Sequence, residues 1–287
     1  MECSRILRSA DAEEKKGNYE EAAKLFYRAS ICYGMENDPP NYEVAKRRSG
    51  ELFLAAVVRA ERPVLAAKSC MLAYKILSEL GDPRANDCVN VILDLISKNR
   101  QDLLADRETS ILATKFLRER GKVAEAVEIY VPLAENLRKG GNCQLAARLY
   151  SDAAICEESI SDFRMASRYN KLAGELFMSC ELHLEASEHL VKAFLEGVTV
   201  GEADGSLLEL SDEACSLGEI KVSWHTELIS TCKDLLHGDA DSARKKWKDV
   251  RYKFRPSYNS LVELAINEVG KRANAVDIRR SHMERVE

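Results

Sequence analysis

This sequence predicts an all-α fold, a helical-repeat solenoid of about fourteen antiparallel helices closed by a C-terminal helical bundle. Three observations predict it. Gly121, Gly141, Ser161 and Glu181 each stand five residues before an alanine (Ala126, Ala146, Ala166 and Ala186), in strict twenty-residue register. Alanine, leucine, glutamate, lysine and arginine dominate, with only 14 glycines and 6 prolines in 287 residues. These side chains lose little on entering a helix. Finally, no stretch sustains period-two alternation and no Asn-Gly turn joins two β-branched runs, so nothing argues for strands.

One unit is right for a single helix plus a turn: about sixteen helical residues make a rod of roughly 24 Å. The frame recurs as Gly17 with Ala22, Glu61 with Ala66 and Gly238 with Ala243. The starts "KGGN", "ISD" and "HGDAD" carry stop-and-cap chemistry, ending one helix and beginning the next. Leu145, Leu149, Ala153 and Cys156 share one face, as do Ala166, Tyr169, Leu172, Ala173 and Leu176. Small alanines let helices approach closely while larger side chains fill the grooves between them. Two units make a hairpin, and stacked hairpins make a right-handed solenoid of the tetratricopeptide type. Pro132, inside "AVEIYVPLAENL", is expected to kink its helix and free the carbonyl of Glu128.

The spacing degrades after residue 196. The segment "EGVTVGEADGS" has no apolar stripe and marks a joint between a repeat region, 1–198, and a bundle, 199–287. Bundle helices are expected near 203–217, 221–237, 239–254 and 257–280.

A net charge of −5 argues against a general nucleic-acid binder. The nine cysteines are odd in number, contain no Cys-x-x-Cys pair and sit mostly among apolar residues, as Cys70, Cys156 and Cys180 do. They read as buried thiols of a reducing compartment rather than a disulfide framework. With no apolar leader segment and no apolar run near the roughly 18 residues that span a bilayer, the expectation is a soluble cytoplasmic protein.

No catalytic constellation is visible, so the chain reads as a non-enzyme without cofactor or metal. His183 and His189 are six apart, on different helix faces. Cys180 and His183 are three apart and share a face, the one pair to test for metal or catalysis against the alternative of a buried thiol beside a surface histidine. His225, His237 and His282 stand alone. No H-E-x-x-H, P-loop, G-x-G-x-x-G or G-x-S-x-G occurs. The run "RKKWKDVRYKFRP" sets Arg244, Lys245, Lys246, Lys248, Arg251, Lys253 and Arg255 around Trp247, Tyr252 and Phe254. Either it binds RNA or an anionic membrane surface, or its aromatics face a core while its cations stay in water. Lys46 to Arg48, Glu13-Glu14 and Glu20-Glu21 read as solvated helix surface.

Three stretches together resemble the SNAP family, the soluble attachment proteins that recruit the NSF ATPase to SNARE bundles in vesicle fusion. "AEEKKGNYEEAAKLFYRAS" is similar to its N-terminal hairpin and "GKVAEAVEIYVPLAENLRKGGN" to a central hairpin. "LISTCKDLLHGDADSARKKWKDVRYKFRPSYNSLVELAINEV" is similar to its C-terminal bundle. The resemblance implies a non-enzymatic adaptor that holds a helical protein partner on a concave face and links it to an AAA-type ATPase. By rough alignment Arg100, Arg107 and Arg148 fall near the family's partner-gripping basic positions. Two departures stand out: "AEEKKGNYEE" is polar where the family has a phenylalanine-rich membrane loop, and "DIRRSHMERVE" lacks the family's terminal leucines. The alternative function is an RNA-binding or anionic-surface scaffold built on 244–255.

Overall fold

The computed structural model describes the backbone of residues 2–218 and 223–283 and the side chains of 2–218 and 225–275. The described residues are all-helical: fifteen α-helices, one 3₁₀ turn and no strand. Two compact units divide the chain, Met1–Lys122 and Val123–Glu287. The first holds α1 (Glu2–Lys15), α2 (Tyr19–Met35), α3 (Pro39–Arg59), α4 (Pro63–Glu79), α5 (Arg84–Lys98), α6 (Arg100–Ala105) and α7 (Arg107–Glu119). The second holds α8 (Val123–Lys139), α9 (Cys143–Ser159), α10 (Phe163–Ser179), α11 (His183–Val200), α12 (Ser206–Leu217), α13 (Ser223–Leu236), α14 (Ala240–Val250), the 3₁₀ turn Arg251–Lys253 and α15 (Pro256–Met283). Within each unit consecutive helices pack on one another, α1 through α5 in the first and α8 through α12 in the second.

The twenty-residue frame has a backbone cause. At the end of α9 the Ser161 N–H bonds to the Glu158 carbonyl (3.0 Å), and the Asp162 N–H reaches back five residues to the Glu157 carbonyl (3.0 Å). The same five-back bond runs from Lys122 to Leu117, Asn142 to Leu137, Leu182 to Phe177 and Asp239 to Asp234, each 2.9 Å. This closure satisfies the last helical carbonyls and requires a left-handed residue at its centre. That residue is the frame's first: Gly121, Gly141, Ser161, Glu181 and Gly238 have φ of 71, 79, 62, 60 and 81°. The next residue caps the following helix. Asn142, Asp162 and Asp239 accept from the N–H three residues on, at 3.4, 3.1 and 2.9 Å.

With the start of each helix fixed, its phase is fixed. The frame alanine is the fourth residue of α2, α4, α8, α9, α10, α11 and α14. Ala22, Ala126, Ala146, Ala166, Ala186 and Ala243 are 0% exposed and Ala66 is 8% exposed. The approach is close between α10 and α11, where a Cβ on Gly174 would lie 2.8 Å from Leu190 Cγ and 3.2 Å from the Ala186 carbonyl. Tyr150 and Tyr169, both buried, stack across α9 and α10 with ring centroids 6.3 Å apart.

Helix α8 continues through Pro132, which supplies no N–H to the Glu128 carbonyl. Other expectations change. The short α6 is an extra element between α5 and α7; Asp106, directly after it, caps α7 by accepting from Thr109 N–H (2.9 Å). The division falls at 122/123 rather than at the expected 198/199. Leu190, Phe194, Leu195 and Val198 of α11 share one core with residues of α12 to α15, among them Leu208, Leu228, Trp247 and Ile266. Residues 201–205 are therefore a short connection inside one packed unit. There Gly201 is left-handed (φ 83°), and Arg272 donates to the carbonyls of Val198 (2.6 Å) and Thr199 (2.9 Å), closing the end of α11. Loss of repeat spacing is not loss of packing. The bundle helices lie close to expectation, except that 219–222 fall outside the described residues and 251–253 form the 3₁₀ turn.

The cysteine reading is corrected. Cys3 bonds to Cys32 and Cys143 to Cys180, with Cα separations of 5.5 and 6.3 Å. Each bridge ties the open end of a hairpin: Cys3 begins α1 and Cys32 lies near the end of α2, while Cys143 opens α9 and Cys180 follows α10. Composition shows none of this, because the pairing depends on which ends a reversing turn brings together. Cys70, Cys88, Cys156, Cys215 and Cys232 are free.

Three measurements test this architecture. Ser161→Gly and Glu181→Gly should each stabilise the protein by about 0.5–1 kcal/mol in urea unfolding, because an L-side chain is unfavourable in the left-handed region and glycine regains part of that cost. No gain would mean the turn has another conformation. Ala146→Phe should cost about 1–3 kcal/mol and expose amides of α8 to α10 to hydrogen exchange while α15 keeps its protection. Thiol titration of denatured protein should find five reactive groups before reduction, matching the free cysteines.

Candidate functional site

The repeat repeats its surface as well as its core. One register position carries Glu128, Arg148, Arg168 and Glu188 on α8, α9, α10 and α11, and all four are exposed. Arg168 also acts electrostatically on the stacked tyrosines, opposing the upward push that burial gives their hydroxyls. Of the expected partner-binding arginines, Arg100 opens α6 and is half-buried, and Arg107 opens α7 and is exposed. Both belong to the first unit, whereas Arg148 is exposed on α9 in the second. Sequence reading missed Arg168, although the signal was present: it stands twenty residues after Arg148.

The basic run separates by partner. Arg244 bonds to Asp241 (3.4 Å) and donates to Asn267 Oδ1 (3.2 Å). Lys246 is turned to Asp234 (2.7 Å) and Ser230 (3.0 Å), and Lys253 to Glu227 (3.0 Å). Arg251 makes a long 3.6 Å pair with Glu263. Lys245 and Lys248 are exposed with no ion pair among the described residues. Trp247 is buried and packs on half-buried Phe254 at 5.0 Å, while Tyr252 is 77% exposed. Arg244, Trp247 and Lys248 of α14 and Arg251 of the 3₁₀ turn line a groove of about 220 Å³ with Glu263, Ile266 and Asn267 of α15.

The chemistry searched for in the sequence is placed differently. Cys180 is bonded to Cys143, so it offers no thiolate to His183. Cys3, Cys32 and Glu36 bring ligand atoms within 4.8 Å of one another, but the two sulfurs are joined to each other, and a metal would need them reduced to thiolates. Sequence reading did not find a buried cluster on α11 to α13. His225 Nε2 lies 2.5 Å from Ser187 Oγ, Ser187 and Ser211 share a 2.7 Å hydrogen bond, and Cys215 Sγ lies 3.4 Å from His225 Nδ1. Burial lowers the His225 pKa and raises that of the Cys215 thiol, which disfavours the thiolate that nucleophilic chemistry requires. The cluster satisfies its own polar groups and ties three helices together.

A second buried network joins α9, α10 and α11. Asn170 donates to both carboxyl oxygens of fully buried Glu196 (2.8 and 2.9 Å) and accepts from His189 Nδ1 (2.8 Å). Lys192 pairs with Glu158 at 2.8 Å beside them. Burial pushes the Glu196 carboxyl well above the usual carboxylate range, with the Asn170 hydrogen bonds opposing. Burial lowers the His189 imidazole to about 4, with Lys192 acting in the same direction.

A histidine held below its unfolded pKa contributes stability that is complete above about pH 6.5 and lost as pH falls toward its folded pKa, here about 3 kcal/mol by pH 4. His189→Asn should flatten this acid limb, as read from urea midpoints at pH 7 and pH 4.5. An unchanged difference between the two midpoints would place the acid sensitivity elsewhere.

In comparisons with known proteins, no family model matches this chain and no curated protein matches it significantly.

Proposed function

We propose that this chain is a non-enzymatic adaptor whose helices coil as a right-handed tetratricopeptide-like solenoid. It holds a helical protein partner and links it to an AAA-type ATPase, as the SNAP proteins it resembles do. One observation carries this reading. The left-handed turn and the fourth-position alanine repeat the backbone every twenty residues, so Glu128, Arg148, Arg168 and Glu188 recur at one exposed position of four successive helices. Packed helices lie about 8–10 Å apart, so such a row can address charges spaced along a partner's surface. A repeat scaffold needs no closed active-site cavity, only an extended face.

The test is retention of partners on immobilised protein, identified by mass spectrometry. The unaltered chain should recover a specific helical protein or an AAA-type ATPase, and Arg148→Glu with Arg168→Glu should reduce that recovery about tenfold or more, since charge reversal at an interface costs several kcal/mol. The melting temperature should not change, because both side chains are exposed. Recovery of chaperones alone, or an identical partner list for the double variant, would overturn the proposal.

A further inference from the structure

We propose that the groove between α14 and α15 docks an acidic peptide segment of a protein partner, its carboxylate seated between Lys248 and Arg251. This site is on different helices from the repeat row and rests on the adaptor reading only in taking a protein as its occupant.

The groove is short of acceptors. Arg244, Trp247 and Lys248 stand at i, i+3 and i+4 of α14 and Arg251 opens the 3₁₀ turn that follows, so three cations and an indole line one groove. Glu263 is the one acid lining the groove, and it holds Arg251 only at 3.6 Å. Lys248 has no ion pair among the described residues. Asn267 Oδ1 is taken by Arg244, which leaves the amide NH₂ as a further donor. An arriving carboxylate supplies the missing charge and acceptor atoms to Lys248, Arg251 and the Asn267 amide.

The same features argue against a nucleic acid. A phosphate backbone needs an uninterrupted track of cations, and here Glu263 sits in the groove while Asp239 and Asp241 line the adjoining cavity. Stacking needs an open ring face, but Trp247 is buried and Tyr252 does not line the groove. The volume of about 220 Å³ lies below the 300–1,000 Å³ typical of pockets for larger ligands and suits single side chains.

The experiment uses the full chain carrying Trp224→Phe, which leaves Trp247 as its single indole. The probes are a blocked peptide of sequence Glu-Leu-Glu-Glu-Leu-Glu, its glutamine counterpart, an oligouridylate and phosphatidylserine vesicles. The glutamate peptide should shift Trp247 emission and bind more weakly as salt is raised, and the glutamine peptide should do neither. Lys248→Gln with Arg251→Gln should weaken binding about tenfold at unchanged melting temperature. Arg148→Glu with Arg168→Glu should leave it intact, so this result and the partner-recovery result can fail separately. If the Trp224→Phe chain does not fold, calorimetry on the unaltered chain with the same probes takes its place. Absence of glutamate-peptide binding, undiminished binding by the Lys248/Arg251 variant, or tighter binding of oligouridylate or vesicles would each overturn the proposal.

Discussion

The structure depends on one backbone event, the closure of a helix by an N–H that reaches back five residues over a left-handed residue. The chain reverses within three residues, and the last of those immediately precedes the next helix. That fixes the phase of each helix against its neighbour. Phase is what lets the fourth-position alanine face the adjacent helix in α2, α8, α9, α10, α11 and α14. Were the turn one residue longer, the same alanine would rotate by about 100°, and a helix built for close approach would meet its neighbour with a bulky face. The exposed register positions inherit the same order. Surface periodicity is thus a consequence of turn chemistry.

Small residues at the contacts carry a physical trade. An alanine buries little apolar area, and burial yields roughly 25 cal/mol per Å², so an alanine seam alone stabilises weakly. The compensation lies in the flanking positions, where Tyr130, Leu133, Leu149 and Tyr150 fill the spaces that close approach creates. The bundle solves the same problem with volume: Phe194, Leu195 and Trp247 pack where the repeat would place small residues or surface. Helix α11 serves both arrangements. Its frame alanine meets α10 and its later turns enter the bundle core. Two of its inward polar groups are matched, Ser187 by His225 and Glu196 by Asn170. Buried polar groups of this kind add little net stability but penalise any other register, because a shift would leave them unpaired.

What could be read from the sequence follows the distance over which each feature acts. The turn and the alanine are five residues apart, so the frame was plain, including where Ser161 and Glu181 stand in for glycine at positive φ. Helix count failed only at α6, where six residues are too few to show a period. Features that join distant residues were invisible. The two disulfides span 29 and 37 residues, and the Ser187–His225 hydrogen bond spans 38. Hydrophobic spacing signals that a helix has a buried face but not which helix covers it. For that reason the weakening of the repeat after residue 196 looked like a boundary, while the structure divides at 122/123. For the candidate sites, residue type was legible and availability was not.

The basic stretch shows why availability decides. Seven cations in twelve residues read as one patch, yet they differ in electrostatic fate. Lys246 and Lys253 are held by Asp234 and Glu227, acids contributed by α13. Their fields are largely cancelled at short range, where screening by salt is least effective. Lys245 points to solvent, where a lone charge attracts any anion weakly. Only Arg244, Lys248 and Arg251 share a concave surface with apolar Ile266 and the indole of Trp247. Partial enclosure lowers the local dielectric, which strengthens a charge–charge contact there relative to the same contact on an open helix. Recognition on this face is therefore set by three cations and the geometry that gathers them, and a count of positive residues along α14 overstates it.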